Sequence, residues 1–189
     1  LIIQNEFSGF SDTNERLDIL ALDKSGSLVV IENKLDDSGK DVTWQALKYV
    51  SYCSTLKKED IREIYQKYLN TQNESSEASE KLSEFYHGSD YENLELNVGN
   101  NSQRVILVAA NFRKEVTSTV LWLINFEIKI KCFKVSLHSQ GEDLFLDVNQ
   151  IIPTKEAEDY MIRMADKTQI ENLSKKSNSN LRDLQISFF

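Results

Sequence analysis

The chain has 189 residues, 40% of them hydrophobic and 28% charged, with a net charge of −8. That is enough apolar material for one domain with a sizeable core, and it excludes a disordered tail. Six Gly and one Pro exclude collagen-like and Pro-rich chains, and no apolar run approaches the ~20 residues of a membrane helix. Cys53 and Cys132 lie far apart in sequence, so there is no disulfide framework or CxxC motif, and a reducing, cytoplasmic location is expected. Two histidines, His87 and His138, argue against a His-rich zinc site. There is no Walker loop and no GxGxxG. The acidity is local: residues 1–100 carry 10 Lys or Arg against 19 Asp or Glu. Part of it suits a cluster that neutralises itself by binding a cation.

The chain opens at Leu1 inside a strand-like run, as a piece of a longer chain would. Residues 1–7 predict a strand and residues 15–23 (ERLDILALD) another, alternating at period two. Lys24-Ser25-Gly26 predicts a turn into a strand over 27–34 (SLVVIENK), with Gly26 suited to a G1 bulge. From Asp41, a plausible N-cap, the spacing is helical, and Trp44, Leu47 and Val50 make an apolar stripe expected to lie on the sheet. Helices are expected over 59–69 and, more exposed, over 76–86. Residues 103–110 (QRVILVAA) are nearly all apolar, the pattern of a strand covered on both faces. A helix over 113–125 and a strand over 128–137 complete a strand–helix–strand unit, normally parallel. A short strand is expected over 143–148 and a helix over 154–166, after which 168–189 is weakly patterned. Trp44 and Trp122 read as core, and Lys57-Lys58 and Lys129/Lys131 as short basic patches.

Asp18, Glu32 and Lys34 carry the chemistry. If Asp23 pairs with Ser27 around the turn, paired positions sum to 50 and Asp18 faces Glu32. Directly opposed Cβ atoms are about 4.5–5.5 Å apart, and like charges that close destabilise a hairpin. The strands around them are apolar, so a solvated face with Lys34 bridging two acids explains the arrangement less well than a bound cation. Two carboxylates completed by water suit Mg²⁺ or Mn²⁺. A lysine beside two carboxylates favours its charged form, which assigns Lys34 to orienting water and stabilising phosphate. Glu6 ends the first strand and is a candidate accessory acid.

The run L-D-I-L-A-L-D, a short turn, V-V-I-E-N-K, and a helix with Q-A-L-K-Y resembles the PD-(D/E)XK nuclease superfamily. Within it, the likeness is nearest to catalytic domains of repair endonucleases for branched or mismatched DNA and their uncharacterised bacterial relatives. V-I-L-V-A-A-N-F-R-K-E-V-T-S-T-V-L-W-L resembles their downstream strand–helix, and the likeness spans about residues 1–153. The resemblance implies a restriction-endonuclease-like core and a metal-dependent phosphodiesterase. It implies that Asp18, Glu32 and the main-chain carbonyl of Asn33 hold Mg²⁺, and that Lys34 sits by the attacking water. Gln45, with Tyr49 one turn on, would support the site. Such nucleases carry a helix before the first strand, often with a further acid, and this chain begins at or after that point. Gln45 also falls early in its helix, at the end nearest the active strand, so its amide is expected to reach the water, Lys34 or a phosphate.

The expected fold is α/β, a mixed central β-sheet flanked by helices on both faces. Residues 1–166 would form the nuclease-like domain, with a helical insertion at about 57–100, and 167–189 a C-terminal extension. DNA is the expected partner, no membrane is involved, and a homodimer is left open. The rival readings are a catalytically silent module on the same fold and an interaction domain using the acidic 57–100 helices.

Overall fold

A computed structural model of the chain describes residues 1–9, 15–99, 102–154, 157 and 167. Leu1–Ile152 make one compact unit, and the chain from Pro153 belongs to a separate one. The helix expected over 154–166 and the extension beyond it lie almost wholly outside the described residues.

The first unit is a mixed α/β sheet. Strands β1 (Ile2–Phe7), β2 (Leu17–Leu22), β3 (Leu28–Asp37), β4 (Arg104–Asn111), β5 (Ile130–Gln140) and β6 (Asp143–Ile152) lie in the sheet in chain order. β1–β2–β3 are antiparallel, β3–β4–β5 parallel, and β5–β6 antiparallel. Helices α1 (Val42–Cys53), α2 (Lys58–Thr71) and α3 (Ala78–Phe85) fill the β3–β4 connection, and α4 (Lys114–Ile124) fills β4–β5. Two crossovers between adjacent parallel strands, advancing in the same direction, put α1 and α4 on one face when both are right-handed.

The packing agrees. Leu20, Leu22, Leu28 and Val30 join Tyr49 and Cys53 of α1 and Ile61, Tyr65 and Leu69 of α2 in one core cluster. Val105, Leu107, Ile130 and Cys132 join Val42 and Ala46 of α1 and Val116, Val120 and Leu123 of α4 in a second. Leu20 pairs with Val30, Val30 with Val105 and Val105 with Ile130, so both clusters lie on the same side of the sheet. Ile31, Ile106, Val108 and Phe133, on the alternate positions, belong to neither. The expectation of helices on both faces is therefore corrected: among the described residues, β4 has helices on one face, and its other face is half-buried.

The helix stripe is corrected as well. α1 buries Val42, Thr43, Ala46, Tyr49 and Cys53, while Trp44 is exposed and Leu47 and Val50 are only partly covered. Trp122 is exposed too, against Phe126 at a ring-centroid distance of 4.5 Å. Asp41 stands at the N-cap of α1, but its side chain makes no capping hydrogen bond. Its carbonyl accepts from Gln45 N at 2.8 Å. α3 is less exposed than expected, since Ala78 and Leu82 are buried in the first cluster.

Two local devices position the strands that carry Asp18, Glu32 and Lys34. In the β2–β3 turn, Asp23 Oδ1 accepts from Ser25 N at 2.8 Å and Ser27 N at 3.1 Å, and Asp23 N donates to Ser27 O at 3.0 Å. Gly26 sits at φ +81°, and a Cβ there would lie 2.2 Å from the carbonyl oxygen of Glu95. Only glycine fits this close approach without a backbone shift. At the other end of β3, Ser38 N donates to Asn111 O (2.9 Å), Ser38 Oγ accepts from Arg113 N (3.2 Å), and Arg113 Nε donates to Asp37 Oδ1 (2.7 Å). This clamp joins the ends of β3 and β4 where α1 and α4 begin.

Candidate active site

The turn sets the register of the hairpin. Ile19 pairs with Ile31, Leu20 with Val30, Ala21 with Val29 and Leu22 with Leu28. One step further, Asp18 falls opposite Glu32. Asn33 N donates to Asp18 Oδ2 at 2.7 Å, which fixes one oxygen of that carboxylate beside the third strand.

Glu32 is fully buried, and neither of its carboxylate oxygens has a hydrogen-bond partner. Its pKa is raised from an ordinary 4.5 to about 7, first by burial and then by the charge of Asp18, with Lys34 pulling the other way. Lys34 Nζ lies 3.6 Å from Glu32 Oε2, which is ion-pair range but too long for a hydrogen bond. A buried, unsatisfied carboxylate is costly, and few native groups are left so. Both of its oxygens are available to a cation.

A relay of side chains holds Lys34. Its Nζ donates to Gln45 Oε1 at 3.1 Å, Gln45 Nε2 donates to Tyr49 Oη at 3.1 Å, and Tyr49 Oη donates to the carbonyl of Arg16 at 2.7 Å. Gln45 and Tyr49 are four apart on α1, so they stand on one helix face above the strand. Burial holds the Tyr49 hydroxyl above its ordinary range, which keeps it a donor. The parts of the site therefore run from β2 through β3 to α1 and back to the start of β2.

Glu6 is placed differently. The β1–β2 register puts it across from Asp18, between Asn5↔Ile19 and Phe7↔Leu17. Its φ of +48° turns the backbone, and its carboxylate pairs with Arg16 in solvent at 3.0 Å. It lines a cleft with Phe7, Asp60, Glu63 and Lys67 instead. Among the described residues no three His, Cys, Asp or Glu side chains converge as a metal-binding group. The ligands available are the two carboxylates of Asp18 and Glu32 and, next to Glu32 on β3, the main-chain carbonyl of Asn33.

Lys134 is a residue that the one-dimensional pattern does not single out. Lys34 pairs with Ala109 and Ala109 with Lys134, so the two lysines share a rung and a face across two strand spacings, about 9–10 Å. Lys134 is exposed. The signal that finds it is the parallel register, which a sequence pattern does not contain. The basic pair at 57–58 is spent structurally in part: Lys58 Nζ lies over the Tyr91 ring and donates to the carbonyls of Tyr91 and Glu92. Burial pushes the thiols of Cys53 and Cys132 up to about 12, so neither is a nucleophile at neutral pH.

No family model, curated protein or solved structure matches the chain.

The site is thus described by its own geometry. No helix among the described residues is long and apolar enough to cross a membrane. What the arrangement can do chemically follows from a buried acid facing a half-buried one, beside a tethered ammonium: it can take up a cation, hold a water, and meet a negatively charged group.

Proposed function

We propose that this chain is a metal-dependent phosphodiesterase acting on DNA, a nuclease of the PD-(D/E)XK type. The observation that carries the reading is Glu32, buried with neither oxygen hydrogen-bonded, opposite Asp18 and in ion-pair range of Lys34. Hard oxygen ligands of this kind suit Mg²⁺ or Mn²⁺. Asp18 and Glu32 would hold the ion, with the Asn33 carbonyl. When bound, such an ion supplies positive charge to a phosphate and lowers the pKa of a water.

The rest of the work falls to the chain's own groups. The Lys34 ammonium orients a water and meets the negative charge that grows on the phosphate. Gln45 takes one donor of that ammonium and so fixes its direction. Tyr49 fixes Gln45 in turn and excludes solvent from beneath it. Lys134, on the same face, offers a second cation to a neighbouring phosphate.

The second reading is a catalytically silent module on the same fold. It is favoured by the presence of only two converging carboxylates among the described residues and by the net charge of −8. One experiment separates the two. The chain and its Asp18→Ala and Lys34→Ala variants are titrated with Mn²⁺ by calorimetry, then assayed on single-stranded, duplex and branched DNA. The nuclease reading expects metal binding that Asp18→Ala loses and Lys34→Ala keeps, with cleavage lost in both. Metal binding without cleavage supports the silent module, and no metal binding removes both metal roles.

A further inference from the structure

The β5–β6 hairpin runs well past the sheet. β4 pairs with β5 only as far as Ala109↔Lys134, whereas β5 and β6 stay paired from there to Gln140↔Asp143. The last six rungs, from Val135↔Val148 outward, have a ladder on one side only. At ~3.3 Å per residue this ribbon projects about 20 Å. Two strands alone are marginal in water and need a covering partner to be stable.

Alternation sorts the side chains of the ribbon. Val135, Leu137, Leu144, Leu146 and Val148 share one face, with Ser139 the only polar residue among them. Lys134, His138, Asp143, Phe145 and Asp147 are on the other. Leu137, Leu144, Leu146 and Val148 are 66%, 70%, 65% and 52% exposed. A contiguous apolar face of this kind marks an interaction surface.

The face fits itself. Valine opposes valine at 135 and 148, and leucine opposes leucine at 137 and 146, so a two-fold rotation brings like rungs onto like. It carries no charged side chain, so two copies can stack without opposing their charges, although each chain is net −8. The four exposed side chains offer about 500 Å² per copy, or about 1,000 Å² for a pair, which is the size at which specific interfaces begin. The tip carries Glu142 and Asp143, which oppose an anionic lipid surface.

We propose that this ribbon face joins two copies of the chain, arm against arm, in an isologous two-fold dimer.

Sedimentation equilibrium of the full chain over about 1–100 µM tests it. The wild type should dimerise in the micromolar range, and Phe145→Asp, on the opposite face, should do the same. A Leu137→Asp/Leu146→Asp variant should associate at least ~30-fold more weakly, with its unfolding midpoint unchanged at concentrations where the wild type is monomeric, because the arm lies outside both core clusters. If the aspartates lower that midpoint, Leu144→Ser/Leu146→Ser takes their place. A wild type that stays monomeric overturns the proposal. So does a dimer indifferent to the apolar-face variants, or one lost equally with Phe145→Asp. Cosedimentation of a monomeric wild type with neutral phosphatidylcholine vesicles would assign the face to a membrane instead and overturn it too.

Discussion

Replacing Glu32 by Gln should stabilise the metal-free protein, and by an amount that depends on pH. In the unfolded chain Glu32 loses its proton near 4.5, whereas in the fold it keeps it until about 7, because burial and Asp18 both disfavour the anion. Between those values the folded state binds more protons than the unfolded one. Unfolding free energy therefore falls as pH rises through this window, at about 1.4 kcal/mol per pH unit. Below 4.5 the cost is absent; above 7 it is complete, at roughly 3 kcal/mol. The amide introduced by Glu32→Gln does not ionise, so the variant escapes the penalty. Urea unfolding of both proteins in chelator, at pH 4.5 and 8.5, measures it. The advantage of Glu32→Gln should grow by roughly 3 kcal/mol between the two. Adding Mn²⁺ at pH 8.5 should restore the wild type and leave the variant unmoved, since the ion binds the anion that the proton otherwise protects. An advantage of equal size at both pH values would mean that Glu32 ionises freely in the fold and needs no cation at this position.

Other outcomes follow from the same geometry. Tyr49→Phe removes a buried hydroxyl that bridges Gln45 and the Arg16 carbonyl; it should cost about 1–3 kcal/mol in urea unfolding and lower kcat roughly tenfold with KM little changed. An unaltered turnover would detach the relay from catalysis. Gly26→Ala should cost about 2–4 kcal/mol, since the new methyl meets the Glu95 carbonyl at 2.2 Å in a left-handed backbone; a urea midpoint equal to wild type contradicts this. Lys134→Ala should weaken duplex binding by anisotropy and reduce the salt slope by about 1, and an unchanged slope would take Lys134 off the phosphate path.

The hairpin was legible because its turn chemistry is local. Lys24-Ser25-Gly26 specifies a loop length, loop length specifies register, and register brings Asp18 opposite Glu32. The first helix was legible in extent but not in orientation. Trp44, Leu47 and Val50 and the observed Val42, Ala46, Tyr49 and Cys53 are both i, i+3/i+4 stripes, and an apolar-rich helix offers more than one. Tyr49 decides between them: its ring is buried while its hydroxyl reaches a backbone carbonyl, a pairing that no periodicity encodes. Glu6 misleads for a different reason, since the register brings it to the site and a single positive φ turns it away. The end of β5 beyond Leu137 was hidden, because Ser139 puts a polar residue on the apolar face and Gln140 follows it, which breaks the alternation that marks a strand.

The relay that holds Lys34 ends on the main chain. Tyr49 Oη donates a hydrogen bond to the carbonyl of Arg16, and the Arg16 side chain is turned outward to Glu6. Every residue has that carbonyl, so position 16 can drift without loosening the lysine. The identity of the anchor is free, and only its place at the entry to β2 is constrained. The upkeep of the site therefore falls on few letters of the sequence: a tyrosine and a glutamine four apart, and a strand that starts on time.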